Sequence, residues 1–155
     1  MKPSVLFVCL GNICRSPLAE AAFRAEAERA GLDAVADSAG TGAWHVGEPP
    51  DRRAIDVAAR NGIDISGARA RQVTRDDFVR FERIVALDAD NLRALRRLRP
   101  ADASARLSLL LDHVAGRAGQ AVADPYYGEA DHFDVTWRVV AEGARALVRE
   151  LEAET

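Results

Sequence analysis

The feature that most restricts how this chain can fold is the junction Val8-Cys9-Leu10-Gly11-Asn12-Ile13-Cys14-Arg15-Ser16-Pro17. Ser4 to Cys9 is a short apolar run ended by Gly11 and Asn12, the pattern of a buried strand. Pro17 suits the first turn of a helix and Glu20 its positive end. The alanine-rich stretch that follows reaches Ala30 and stops at Gly31. A buried strand that passes so quickly into a helix belongs in a sheet whose faces are covered.

The rest of the chain repeats that alternation. Val35 to Ser38 reads as a second strand, leading into the loop Ala39-Gly40-Thr41-Gly42. Asp51 to Asn61 reads as a helix between Pro49-Pro50 and Gly62. Arg83 to Leu87 is a third strand, Ala89 to Leu98 a helix ended by Pro100, and Arg106 to Leu110 a fourth strand. His113 to Ala123, with Gly116 and Gly119, reads as a surface loop. Phe133, Trp137, Val140, Ala141, Ala144, Leu147, Val148 and Leu151 recur at helical spacing and mark a long amphipathic helix. The expected fold is α/β: a single domain over residues 1–155, with a small parallel sheet and helices on both faces. In such sheets ligands bind beyond the carboxyl ends of the strands, where the Cys9 loop lies.

Charge and composition narrow the function classes. The net charge of −3 argues against a general nucleic-acid binder, which needs a basic face. Lys2 is the only lysine, so amine chemistry is nearly excluded. The two cysteines have four residues between them and form no CxxC pair, a poor staple that fits a reducing compartment. No signal-peptide pattern and no membrane-length apolar stretch occurs. The cytoplasm is the expected setting, with export by an unusual route left open. No spacing of Cys, His and acidic residues makes a metal site, and no cofactor is expected.

The Cys9 junction carries the chemistry. An arginine six residues after a cysteine is weak evidence alone, because all but one of the 21 basic side chains are arginine. Its placement after a strand and before a Ser-Pro helix start is far more specific. There the loop can wrap a phosphate, with the thiol at the bottom and helix-start amides pointing inward. A free thiol has a pKa of roughly 8.5, which a helix N-terminus and a neighbouring arginine can lower. The thiolate of Cys9 then attacks phosphorus. Arg15 holds two phosphoryl oxygens in a fork, and Ser16 hydrogen-bonds the sulfur. Taken singly, Cys9 reads as an inert buried cysteine, Arg15 as a surface arginine and Ser16 as an N-cap. In one loop those separate readings lose.

A general acid is needed for the leaving group, and Asp124 in Ala123-Asp124-Pro125-Tyr126-Tyr127-Gly128 is the candidate. Pro125 holds it out of helical geometry, and the tyrosines offer a wall for an aromatic substrate. Pattern alone equally supports a plain Asp-Pro turn with tyrosines packed on the last helix. An acid that starts protonated implies an acidic working range.

With both motifs in hand, the chain resembles the low-molecular-weight protein tyrosine phosphatases. The resemblance runs through Val5 to Pro17, Asp37-Ser38, Trp44-His45-Val46-Gly47 and Pro50-Asp51-Arg52-Arg53-Ala54. It continues in Ala70-Arg71-Gln72-Val73-Thr74, Asp77-Phe78, Asp88, Asn91-Leu92 and Asp124-Pro125-Tyr126-Tyr127-Gly128. It implies a four-stranded parallel sheet and metal-free hydrolysis of phosphotyrosine on proteins through a cysteinyl-phosphate. Cys9 is then the nucleophile, Arg15 the clamp, and Asp124 the acid and later the base. Substrate, phosphate or another oxyanion sits against Leu10, Gly11, Asn12, Ile13, Cys14 and Ser16. Leu10, Ile13, Trp44, Tyr126 and Tyr127 wall the aromatic slot, while Asn12 and Ser38 support the loop. A monomer or weak dimer, without nucleic acid or membrane, is the expected form.

One departure stands out. Many members carry a histidine in the Asn-Ser network where this chain has Ala68, which implies fewer bonds or a substituting water. Cys14 reads as a space-filler; the resemblance adds a reversible disulfide with Cys9 under oxidants. His45 lines the entrance or is merely exposed, whereas His113 and His132 read as surface or cap residues. Arg93, Arg96, Arg97 and Arg99 read as a solvated helix face, with a docking surface for an acidic partner as the alternative. Three rival functions remain. An arsenate reductase would need cysteines after Cys14, and none follows. A phosphoarginine phosphatase would usually carry threonine at Ile13. A non-catalytic phosphate-binding module would need neither the thiol nor the acid.

Overall fold

Residues 2–155 are described by a computed structural model. Strand β1 (Ser4–Cys9) is apolar from Val5 onward, as burial of both its faces requires. Val5 and Phe7 point to one side and meet helices α1 (Arg15–Ala30), α2 (Arg52–Arg60) and α5 (Ala130–Ala153). Leu6 and Val8 point to the other and meet Phe78 of α3 (Asp77–Arg80) and Leu92 and Leu95 of α4 (Ala89–Leu98). Helices therefore cover both faces, as expected.

The sheet is four-stranded and wholly parallel, in the order β2-β1-β3-β4, with β2 at Val35–Gly40, β3 at Arg83–Ala86 and β4 at Arg106–Leu109. From β1 the chain goes first to one neighbour and then crosses back to the other. The direction of winding thus reverses between β1 and β3, and ligands in such sheets bind at the carboxyl end of that crevice. Cys9 ends β1 there.

The elements stand close to their expected places, with four differences. Strand β2 runs two residues past Ser38, because Gly40 still pairs with Cys9. Gly40 also exchanges hydrogen bonds with the segment beyond it, donating to Arg71 O (2.8 Å) and accepting from Val73 N (2.8 Å). A Cβ there would stand 2.7 Å from Leu10 O, so glycine is needed for close approach rather than as a strand breaker. Glu20 is not at the positive end of α1: the helix starts at Arg15, so Glu20 falls in the second turn and pairs with Arg24 at 2.9 Å. Strand β4 stops at Leu109 because Leu110–His113 coils into a 3₁₀ turn.

The fourth difference corrects a histidine. The His113 side chain is only 7% exposed, bonded to Ser108 Oγ (2.9 Å) and Glu150 (3.0 Å), because that turn folds it back against α5. His132 is exposed and acts as a cap, its Nδ1 accepting from Glu129 N at 3.2 Å. Among the described residues, no helix is long and apolar enough to cross a membrane.

Candidate active site

The loop after β1 is shaped by Asn12, the only described non-glycine residue with positive φ, at 57°. Asparagine tolerates this left-handed backbone better than most residues. Its side chain repays the strain. Nδ2 donates to Ser16 Oγ (2.8 Å) and Ser38 Oγ (3.0 Å), and Oδ1 accepts from Arg71 N (3.0 Å). The amide is therefore fully used without a histidine. Ala68 is exposed, and the Arg71 main chain supplies the remaining bond.

Cys9, Asn12, Arg15 and Ser16 are all buried. Ser16 Oγ lies 3.0 Å from Cys9 Sγ. Since Oγ already accepts from Asn12, its own hydrogen is free for sulfur, which is closer than Ala39 O at 3.5 Å. Helix α1 opens at this loop with no side-chain cap and no acidic residue in its first turn, leaving its first amides to an anion. Burial pushes the Cys14 thiol far above its ordinary pKa, and the charges of Asp51, Cys9 and Asp124 push the same way. Cys14 is a neutral thiol at the helix start. Both cysteines are free.

Arg15 is locked rather than exposed. Its Nη1 donates to Asp88 Oδ2 (2.7 Å) and Val122 O (2.9 Å), and its Nη2 lies 3.6 Å from Asp124 Oδ2. Asp88 serves twice, because its Oδ1 accepts from Asn91 N (2.7 Å) and caps α4. This role was invisible in the sequence beyond a family match.

Asp124 sits on the opposite wall, with 43% of its side chain exposed. It closes a turn by accepting from Tyr126 N at 3.1 Å. Arg53 anchors the loop beyond it by donating to Tyr126 O (2.9 Å) and Gly128 O (2.8 Å). The guanidinium also lies 4.5 Å from the Phe133 ring centroid. Asp51 accepts from the same guanidinium at 2.9 Å, and its own N–H donates to Ile13 O (2.8 Å). One Asp-Arg pair thus joins the cysteine loop to the aspartate loop. The hydrogen bond from Arg53 holds the Asp51 carboxyl below its usual range.

Between the loops lies a cavity of about 340 Å³. Cys9, Leu10, Gly11, Ile13, Cys14, Arg15, Trp44, Asp124, Tyr126 and Tyr127 line it, as does His45, which stands at the entrance. Asn12, Ser16 and Ser38 lie behind the loop rather than on the cavity wall. The tyrosine rings meet edge to face at 4.9 Å, and Tyr127 is 96% exposed. The alternative of tyrosines buried on the last helix is therefore set aside. No group of three or more His, Cys, Asp or Glu among the described residues is placed to hold a metal.

Known proteins resemble this chain in sequence and in fold. The low molecular weight phosphotyrosine protein phosphatase of Schizosaccharomyces pombe is 48% identical over 132 residues, covering 83% of this chain and 84% of its own. The low molecular weight protein-tyrosine-phosphatase of Streptomyces coelicolor is 48% identical, covering 94% and 93%. The crystal structure of YfkJ from Bacillus subtilis superposes with a TM-score of 0.91 at 40% identity, covering 100% of this chain and 98% of that one. Residues 4–155 match the family described as low molecular weight phosphotyrosine protein phosphatase, and the chain belongs to that family.

Proposed function

We propose that the protein hydrolyses phosphotyrosine on proteins, and small aryl phosphates, through a phosphorylated Cys9. One observation carries this reading: the fold brings Cys9, Arg15 and Asp124 onto one cavity with aromatic and aliphatic walls. In the first step Cys9 Sγ attacks phosphorus. The S–P bond forms, the P–O bond to the phenol breaks, and the electron pair leaves on oxygen. Asp124 delivers its proton to that oxygen, so the leaving group departs as the neutral phenol.

Arg15 and the opening amides of α1 hold the equatorial phosphoryl oxygens, where charge builds. The bonds to Asp88 and Val122 fix the guanidinium in advance, so little reorganisation is required. In the second step the Asp124 carboxylate takes a proton from water while the water oxygen attacks phosphorus. The S–P bond breaks, phosphate leaves, and the Ser16 hydroxyl stabilises the departing thiolate.

The test compares wild type with Cys9→Ser on an aryl phosphate in the presence of a chelator. Turnover that persists with chelator and disappears in Cys9→Ser is the expected result. Absence of turnover in reduced wild type overturns the reading.

A further inference from the structure

A second hollow of about 450 Å³ adjoins the first. Thr41 and Gly42 line it, with Leu10 and Trp44 on one side and Asp90, Arg93 and Arg97 of α4 on the other. Leu10 and Trp44 also line the Cys9 cavity, so the two hollows share a wall. Trp44 is 71% exposed and closes tightly over Gly42, where a Cβ would stand 1.9 Å from the indole.

The α4 side of this groove carries its charge. Arg93 and Arg97 are four residues apart and share one helix face. Arg93 pairs with Asp90, whereas Arg97 has no carboxylate partner among the described residues. The groove is thus net positive in a chain of net charge −3. Arg96 and Arg99 are exposed but do not line it, so the arginine cluster divides into groove and off-groove members. All four are exposed, as a solvated helix face requires, and Arg93 and Arg97 alone among them border the groove.

We propose that this groove receives an acidic side chain of the same peptide whose phosphotyrosine enters the Cys9 cavity. The inference rests on the phosphatase reading and adds the class of substrate that the site favours. A guanidinium fork matches a carboxylate, and an exposed indole supports the peptide between the two sites.

The experiment measures kcat/KM for phosphotyrosine peptides with glutamate on either flank, for matched peptides with glutamine, and for p-nitrophenyl phosphate. Wild type is expected to favour a glutamate peptide about 1.5- to five-fold, the range for exposed ion pairs, and less as salt is added. Arg97→Ala should remove most of that preference and Arg97→Glu reverse it, with p-nitrophenyl phosphate turnover unchanged in both. Arg96→Ala and Arg99→Ala remove the same charge outside the groove and should leave the preference intact. Equal loss in the off-groove variants, or a preference that survives Arg97→Glu, overturns the proposal. So does a wild type that hydrolyses p-nitrophenyl phosphate but ignores the flanking charge. A wild type that hydrolyses nothing overturns the phosphatase reading and this inference with it.

Discussion

The two walls of the cavity are built in opposite ways. The cysteine wall is buried and bonded through Asn12, Ser16, Ser38 and the Arg71 main chain. The aspartate wall is exposed and depends on Arg53 reaching Tyr126 and Gly128. Each wall has an Asp-Arg pair beneath it. Arg71 donates to the buried Asp77 (2.9 Å) and to Asp37 on the cysteine side, and Arg53 donates to Asp51 on the other. A wall that must hold a fixed anion is made rigid, while a wall that must pass protons to water and to different leaving groups stays in contact with solvent. This difference implies that damage to the cysteine wall lowers both stability and rate, whereas loss of the exposed Asp124 carboxylate lowers rate alone.

The largest test of that asymmetry is Asp124→Asn. Turnover of aryl phosphates with poor leaving groups should fall about 10²–10⁴-fold, and far less for good leaving groups, with an unchanged melting temperature. Equal slowing across a leaving-group series removes Asp124 from the acid's role. Asn12→Ala comes next. It strips the partners from Ser16 and Ser38 and leaves alanine in a left-handed backbone, a cost of about 2–3 kcal/mol of stability. At ~2–4 °C per kcal/mol for a chain of this size, thermal unfolding should show the shift, together with lower kcat. An unchanged melting temperature would mean that the loop is not rigid in the way its bonds suggest.

Arg53→Ala is a milder change on the open wall. Losing a positioning contact should reduce kcat about ten-fold, near 1.4 kcal/mol, with KM moving less. The Arg53→Lys variant, which lacks the fork, should recover only part of the rate. The smallest effect is in acid. Asp77 is buried, which by itself raises its pKa, but bonds from Arg71 and Thr74 outweigh burial and hold it below the usual value. A depressed folded-state pKa gives stability that is present above the unfolded value and is lost as pH falls through the folded one. Denaturant midpoints should therefore drop below about pH 4 in wild type. They should drop less in Asp77→Asn, which starts less stable at neutral pH.

Much of the cysteine wall was legible in sequence because it is local. β1 and α4 begin and end where their apolar pattern and flanking residues place them, and Cys9, Asn12, Arg15 and Ser16 lie within eight positions. Asp124 was legible only in part, because Pro125 marks a restrained loop whether or not the carboxylate has a chemical role. The residues that orient these groups were not. Asp88 reaches Arg15 across 73 positions and Arg53 reaches Gly128 across 75, and a lone Asp or Arg carries no mark of so distant a partner. Helix α3 is too short to show a period. The glycine at position 40 suggested a break because the close approach of Leu10 depends on another strand's path. The His113 environment likewise depends on Glu150, 37 residues away.

Asp88 couples two properties that evolution and engineering usually adjust separately. One of its oxygens starts a helix and the other aims a guanidinium, so no substitution there can retune activity while leaving folding alone. The same helix carries Arg93 and Arg97, so a change in its tilt would move the outer surface and the phosphate grip together. Variants selected for a new peptide preference should therefore accumulate on the solvent-facing residues of that helix, and this one carboxylate should be the last position to drift.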